Sequence, residues 1–187
     1  MGRTRRFDPE QALERAMDAF WERGFQGTSM QRLVERMGIN RGSLYATFGS
    51  KEELFQSAVD RYLARKRAAL LEAVAGPGEP REVLRRAMLA LLVDTQAPLR
   101  RGCLVANASV ERGPFCARTA PKLLGVWRDI EGCFAEVLER DPALRPRSGP
   151  LARLLVTVVR GLAVSIRLEA SREEVEEVVD AALSTLR

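Results

Sequence analysis

Four helix starts within the first fifty residues constrain the fold of this chain more than any other feature. A polar residue suited to an N-cap precedes each stretch of helically spaced apolar residues, at Asp8, Thr28, Asn40 and Ser50. Glycines end the first three stretches, at Gly24, Gly38 and Gly49. The spacing predicts three short helices followed by a long one that runs from Ser50 to the Gly-Pro-Gly at 76 to 78.

The rest of the 187-residue chain also shows helical patterns, and strand signals are nearly absent. Helices are expected from Pro80, over 103 to 112, over 121 to 138, over about 151 to 169 and after Ser171, with a proline-rich linker at 141 to 150. The prediction is an all-α fold with one domain at residues 1 to 49 and a second at 50 to 187. A connecting helix over 50 to 75 would be roughly 37 Å long.

Composition excludes several classes of protein. The chain has no histidine, and its three cysteines form no Cys-x-x-Cys pair, which argues against the common metal sites and removes the Ser-His and Cys-His nucleophile pairs. No glycine-rich phosphate loop is present in the sequence. We therefore expect a protein that is not an enzyme and has neither metal nor cofactor. The net charge of +5 permits a nucleic-acid partner.

No secretory signal or membrane segment is expected. The basic N-terminus is not followed by the apolar stretch of a signal peptide. The most apolar run, 151 to 168, contains Arg153, Arg160 and Arg167. Each arginine would cost about 2.5 to 3.5 kcal/mol near the middle of a bilayer. The sequence therefore predicts a cytoplasmic protein.

The third predicted helix has an unusually bare outward face. Leu44 and Phe48, four residues apart, are expected to point inward. The opposite face then carries Gly42, Ser43 and Ala46. A glycine inside a helix costs about 1 kcal/mol relative to alanine, so a close approach to another surface would account for it. The alternative is an ordinary solvated face beside a turn.

Two short helices joined by a tight turn predict a helix-turn-helix, whose second helix enters the major groove of DNA. Small hydroxyl and methyl groups suit base edges, while cations, a tyrosine and a helix N-terminus suit phosphates. The predicted DNA-binding residues are Thr28, Gln31, Arg41, Gly42, Ser43, Tyr45, Ala46, Thr47 and Lys51.

Three motifs extend this pattern: Arg23-Gly24-Phe25, Thr28-Ser29, and the run from Gly38 to Glu52. Together, residues 8 to 55 resemble the DNA-binding domain of the TetR family of transcriptional regulators. The resemblance implies an N-terminal three-helix DNA-binding domain and a C-terminal helical domain for ligand binding and dimerisation. It also implies a homodimer that represses from a palindromic double-stranded DNA operator and is released by a small-molecule inducer.

This chain departs from the usual TetR pattern at four positions. Val34 and Met37 stand where alanine is common, so bulkier packing is expected between the second and third helices. Ala46 and Thr47 stand where many members carry a histidine or a second aromatic residue. Any phosphate contact that other members make from those two positions is therefore in question for this chain.

Dimerisation is expected on the last two helices, as a four-helix bundle across a two-fold axis that holds the recognition helices about 34 Å apart. The predicted interface residues are Leu155, Val158, Val159, Leu162, Val175, Val178, Val179 and Leu183. The alternative is that these residues form an ordinary core within one chain.

An inducer pocket is expected in the C-terminal domain. Apolar residues suited to its lining are Met88, Leu92, Phe115, Trp127 and Phe134, although the same residues suit a core. Polar groups would come from the short helix at 103 to 112, where Cys103, Asn107 and Glu111 recur every four residues.

The run from Gly102 to Asn107 resembles a Gly-Cys-(Leu/Phe)-x-x-Asn motif in one TetR branch, which includes sensors of electrophiles and oxidants. A helix start beside Arg100 and Arg101 would activate the Cys103 thiol, whereas a free cysteine is often an inert buried group. Two alternatives to an inducer-released repressor therefore remain. One is a thiol-based sensor, and the other is a helical partner-binding module without DNA affinity.

Overall fold

The computed structural model describes residues 7–93, 101–112 and 120–186. These residues form nine α-helices and no strand, which confirms the all-α prediction for the described part of the chain. The helices are α1 (Pro9–Arg23), α2 (Met30–Met37), α3 (Arg41–Phe48), α4 (Lys51–Ala75), α5 (Pro80–Leu92), α6 (Leu104–Arg112), α7 (Ala120–Leu138), α8 (Ser148–Arg167) and α9 (Arg172–Leu183).

Contacts divide the chain into two compact units, one ending at Ala64 and one beginning at Arg65. The division lies inside α4, because the first half of this helix packs into the N-terminal unit. Phe55 of α4 is buried there, with its ring 5.1 Å from the ring of Phe20. The domain boundary at residue 49 stays a prediction. The sequence shows where α4 begins, but it does not show that the first half of α4 packs into the N-terminal unit.

Side-chain caps begin the helices of the N-terminal unit. The side chains of Asp8, Ser29 and Asn40 each accept a hydrogen bond from a backbone N–H group in the first turn of α1, α2 and α3, respectively. Ser50 and Glu53 form a reciprocal capping box at the start of α4. These caps satisfy backbone donors that would otherwise lack partners, and they let short helices form at defined positions.

Aromatic side chains fill the interior between α1 and α4. Phe20 lies edge-to-face with Phe55, and Phe25, from the loop after α1, contacts both rings at 6.2 and 5.1 Å. Trp21 and Tyr62 form a second edge-to-face pair at 4.9 Å. Such pairs contribute about 0.5 to 1.5 kcal/mol each beyond the area that they bury.

The C-terminal unit has its own core, in which α7 packs along α8 and α9 lies against α5 and α8. The apolar face predicted for α5 is buried along its length, at Val83, Leu84, Ala87, Met88, Leu91 and Leu92. Arg85 of α5 also bridges to α9, with its Nε 2.6 Å from Asp180 and its Nη2 3.2 Å from Glu176. The predicted capping box of Ser171 and Glu174 starts α9.

The expected start of α8 is wrong by one turn. The helix begins at Ser148 rather than near residue 151, and a 3-10 turn over Arg145–Arg147 precedes it. Pro146 and Pro150 both lie in first turns, where backbone N–H groups have no intrahelical partner and proline is tolerated. The segment predicted as a linker is therefore partly helical.

Residues Arg145–Arg167 are long and apolar enough, by length and composition alone, to cross a bilayer. The core helices of soluble proteins pass the same test. In this structure Leu155, Val159 and Ala163 are buried in the core of the C-terminal unit, and Arg153 forms an ion pair with Glu131 of α7. The packing of this helix is that of a core helix.

Candidate nucleic-acid interface

A tight turn fixes α3 relative to α2. Gly38 adopts a left-handed conformation, with φ at 69°, and its N–H donates to the carbonyls of Val34 and Glu35. Asn40 then begins α3 by accepting the N–H of Ser43 at 2.8 Å. From α1, Arg15 donates to the carbonyl of Met37 at 3.3 Å, which ties the end of α2 to the first helix. The result is a helix-turn-helix.

The second of these helices, α3, buries one side and exposes the other. Leu44 is fully buried, as the sequence predicts, and Phe48 is half-buried. Gly42 and Ala46 are exposed, and 46% of Tyr45 is accessible to solvent. We define the outward face of α3 as Gly42, Ser43, Ala46 and Thr47. Its side chains are all small, and those of Ser43 and Thr47 carry hydroxyl groups.

Among the residues that the structure describes, none near Gly42 requires glycine at this position. A Cβ built on it would meet only the Asn40 side-chain oxygen, at 3.4 Å, which is close to an ordinary contact. Its φ does not lie in the left-handed region, in contrast to Gly38. The described part of the fold therefore does not account for the missing side chain.

The prediction that Thr28 caps α2 is wrong, and the burial of Thr28 argues against its predicted phosphate contact. Thr28 is fully buried, and its hydroxyl donates to the carbonyls of Gly24 at 2.6 Å and Ala19 at 3.2 Å, both at the end of α1. Ser29, which is exposed, caps α2 instead by accepting the N–H of Arg32. Two adjacent hydroxyl residues gave equivalent cap signals, and sequence alone does not show which one the loop turns inward.

The other predicted phosphate contacts lie at the surface with partners of their own. Gln31 is exposed and donates to Glu35 one turn later. The guanidinium carbon of Arg41 lies 5.8 Å from the centre of the Tyr45 ring. The Lys51 ammonium lies 4.2 Å from the centre of the Phe25 ring. The sequence analysis predicts neither ring contact. Arg41 and Tyr45 are one helical turn apart in α3, whereas Lys51 and Phe25 have no regular spacing in sequence.

In the C-terminal unit, four residues predicted to line a pocket are buried: Met88, Leu92, Trp127 and Phe134. The indole N–H of Trp127 faces the Ser109 hydroxyl at 3.4 Å, and the Arg160 guanidinium lies 4.7 Å over the same ring. Phe115 lies outside the described residues. Whether the four residues surround a ligand stays a prediction, because burial in a core gives the same pattern.

The start of α6 shows what two residues of the Gly-Cys motif do. Gly102 has φ at 62°, and a Cβ there would lie 2.8 Å from the carbonyl oxygen of Ala163 in α8. The Asn107 amide donates to the Arg101 carbonyl at 3.1 Å and so holds the turn in place. Cys103, which is partly exposed, lies between them and accepts the Asn107 N–H on its own carbonyl.

Comparisons with known proteins identify the family. Residues 12–58 match the model for bacterial regulatory proteins of the tetR family. The chain is also 33% identical to YezE, an uncharacterized HTH-type transcriptional regulator of Bacillus subtilis, over 100% of both sequences. The chain belongs to the TetR family. The described helices fit that membership, and the relatives are regulators rather than enzymes, as the sequence predicts.

Solved structures of TetR-family members share the whole fold. A cysteine-substituted variant of the regulator CifR, in complex with 26-bp double-strand operator DNA, has a TM-score of 0.86 and 33% identity, covering 98% of this chain and 99% of that one. AcnR of Corynebacterium efficiens, an HTH-type transcriptional repressor, is 28% identical over 95% of this chain and 92% of its own length. Membership of the TetR branch with the Gly-Cys motif stays a prediction.

The predicted TetR-type dimer surface requires a correction. Six of its eight residues are buried inside the C-terminal unit: Leu155, Val159, Leu162, Val175, Val179 and Leu183. Val158 is half-buried, and only Val178 is clearly exposed. The reason is that α8 carries apolar residues on more than one side, so helical spacing does not show which side faces the core. The large apolar residues exposed on α8 and just after it are Leu154, Val164 and Leu168.

Proposed function

We propose that this protein represses transcription in the cytoplasm by binding a palindromic DNA operator as a homodimer, and that a small-molecule effector releases it. The observation that carries the proposal is the outward face of α3, where Gly42 has no side chain although its described surroundings leave room for one. The CifR complex with operator DNA and the naming of AcnR as a repressor support the same role.

In the proposed complex, α3 enters the major groove with Gly42 and Ala46 against its floor. The hydroxyls of Ser43 and Thr47 meet base edges, and the Thr47 and Ala46 methyls suit thymine methyl groups. Tyr45, Arg41, Gln31 and Lys51 stand around this face as phosphate contacts, and they set the position of the helix rather than its sequence preference. The N-terminus of α2, with Ser29 in place of Thr28, supplies free backbone donors to a further phosphate.

We propose that the dimer forms through the exposed apolar side of α8 together with α9. Leu154, Val164 and Leu168 line this side, and Val178 of α9 is exposed in the same way. Arg153 and Arg160 extend toward α7, where they meet Glu131 and Trp127. An apolar, self-complementary face of this kind fits a two-fold interface.

Release of the operator requires an effector that binds better to a conformation with the wrong spacing between recognition helices. The buried cluster of Met88, Leu92, Trp127 and Phe134 is the proposed location of its site. Because α4 contributes residues to both compact units, it is the natural element to carry the change. The chemical identity of the effector does not follow from an apolar lining.

A thiol-based release is the second candidate, and the position of Cys103 favours it. The residue is partly exposed, and its neighbour Gly102 lies so near α8 that a Cβ on it would be 2.8 Å from the carbonyl oxygen of Ala163. A bulky adduct on Cys103 would therefore disturb the contact between α6 and the proposed dimer helix. If Cys103→Ala leaves the release of DNA by an oxidant or electrophile unchanged, this second candidate is excluded.

The proposed function is tested by titrating the full-length protein onto the DNA upstream of its own gene at several salt concentrations. A DNA reader loses affinity steeply with salt, with a slope of about −0.9 per neutralised phosphate in a plot of log affinity against log salt. Tyr45→Ala should weaken binding to every sequence, and Thr47→Ala should change the sequence preference. Absence of measurable binding would instead favour a partner-binding module without DNA affinity.

A further inference from the structure

The contact between Lys51 and Phe25 connects the protein surface to the aromatic core. Phe20 is fully buried and stacks on Phe25 at 6.2 Å with an angle of 13° between the rings, while Phe55 meets Phe25 edge-on at 5.1 Å. Phe25 and Lys51 are each partly exposed. The buried rings of Phe20 and Phe55 hold the Phe25 ring in place. The Lys51 ammonium, 4.2 Å from the centre of the Phe25 ring, therefore has a fixed contact at the surface.

The face of an aromatic ring attracts an ammonium and leaves its formal charge intact, so the Phe25 ring can restrict the Lys51 side chain without neutralising it. A lysine side chain has a flexible four-carbon stem and loses rotamer freedom when it binds an anion. A ring that already restricts this freedom reduces the loss on binding.

Lys51 is also the first residue of α4, only three positions beyond the end of α3 at Phe48. The ammonium is therefore placed beside the recognition helix by the backbone and held in one direction by the ring.

We propose that Phe25 is a positioning residue for operator binding, which acts by holding the Lys51 ammonium where it meets a DNA phosphate. The proposal rests on the proposed function. Phe25 touches no DNA in this account; it acts only through Lys51. Its effect must therefore vanish when Lys51 is absent, and this requirement separates positioning from a general role in stability.

The test is a double-mutant cycle on the affinity of the full-length protein for the DNA upstream of its own gene. Phe25→Leu should weaken binding by about two- to fivefold per protomer. Lys51→Ala should weaken it further and reduce the salt slope by about 0.9 per protomer. In the Lys51→Ala background, Phe25→Leu should have no additional effect, and Phe25→Tyr, which retains a ring face, should bind like the parent protein.

Tyr62→Leu is the control, because it also removes an aromatic ring from the core of the same unit, and the ring that Tyr62 contacts is Trp21 rather than Phe25. Any loss of affinity that it causes should add to that of Lys51→Ala without coupling. Additive effects of Phe25→Leu and Lys51→Ala overturn the proposal. If the parent protein binds no DNA, the proposed function itself fails; if it binds and only the coupling is missing, the role of Phe25 alone is wrong.

An NMR measurement on the parent protein covers the case in which Phe25→Leu does not fold. Ring currents from Phe25 should shift the ε protons of Lys51 upfield of their usual position. An unshifted Lys51 resonance overturns the proposal without the need for any variant.

Discussion

The helices α3 and α8 each bury one side in a core and expose the other, and their exposed sides differ in kind. On α3 the exposed positions include Gly42, which has no side chain, and Ala46, whose side chain is a single methyl group. On α8 they include Leu154 and Val164, which are large and apolar. A flat face flanked by hydroxyls suits the groove of a duplex, whereas an apolar face suits a second protein surface. The comparison supports our proposal that α3 binds DNA and that α8 contacts a partner protomer.

Some helices of the two units also differ in how they begin, although α9 in the C-terminal unit starts on a capping box. In the N-terminal unit, α2 and α3 start on side-chain caps at Ser29 and Asn40. In the C-terminal unit, α5 and α8 start after Glu79 and Arg147, and neither residue makes a side-chain cap bond. A short helix such as α3 has few other contacts, so a local cap should matter more to it than to a longer, packed helix such as α5. The first three predictions that follow test these differences.

The largest effect is expected at adjacent positions of α9. Val179 is fully buried, so Val179→Asp places a carboxylate in an apolar core and should destabilise the C-terminal unit by about 3 to 5 kcal/mol. Val178 is 45% exposed, so Val178→Asp should keep the fold and prevent dimerisation. Urea unfolding and sedimentation measure the two outcomes. A Val178→Asp protein that remains dimeric would remove α9 from the proposed interface.

In α3, Leu44 and Tyr45 form a second adjacent pair. Leu44→Ala leaves a cavity in the N-terminal core and should cost about 2 to 5 kcal/mol of stability. Tyr45→Ala, at an exposed position, should change stability by less than about 0.5 kcal/mol and still weaken operator binding. Thermal unfolding and a DNA titration distinguish them. Normal DNA affinity in Tyr45→Ala would mean that the tyrosine only covers the helix surface.

The difference in helix starts gives a smaller effect. Asn40→Ala removes the cap of α3 and should cost about 1 kcal/mol, within a range of 0.5 to 2. Glu79→Ala removes no cap bond at the start of α5 and should be nearly neutral. Chemical unfolding of both variants checks the comparison, and equal losses would show that the cap at Asn40 is not what holds α3.

The smallest effect concerns pH. The hydrogen bond from Arg85 lowers the pKa of Asp180 below its usual value, with a smaller contribution from the charge of Arg85. The stabilisation is therefore present above the ordinary aspartate pKa and is lost as pH falls through the lower pKa of the folded state. Both groups are more than a third exposed, so the contribution should be at most about 1 kcal/mol. Asp180→Asn should remove this part of the acid dependence in unfolding titrations; an unchanged profile would exclude the pair as its source.

Local signals in the sequence predicted most of the helices, because a cap or a left-handed glycine acts within a few residues. Asp8, Asn40 and the Ser50–Glu53 box all appear where expected. What the sequence did not predict depends on which side of a residue faces the core. For example, the side chain of Thr28 faces the core, whereas that of Ser29 lies at the surface and caps α2.

The same limit applies to the functional surfaces. Periodicity placed the inward side of α3 correctly, since Leu44 lies in a short helix with a single apolar side. It failed for α8, whose apolar residues surround much of the helix, so that buried Leu155 and exposed Leu154 are equivalent in sequence. The ring contact of Lys51 with Phe25 joins positions that only the folded loop brings together.

The central claim, that Gly42 is bare because DNA lies against it, is tested most directly by Gly42→Ala. Inside the protein the added methyl has room, so the variant should fold and gain up to about 1 kcal/mol of stability. Its operator affinity should fall about fivefold or more, since overpacking a close contact costs about 1 to 3 kcal/mol. Gly125→Ala in α7, where a Cβ also has open space, is the control and should leave DNA binding unchanged. A Gly42→Ala protein that binds its operator as tightly as the parent contradicts the account.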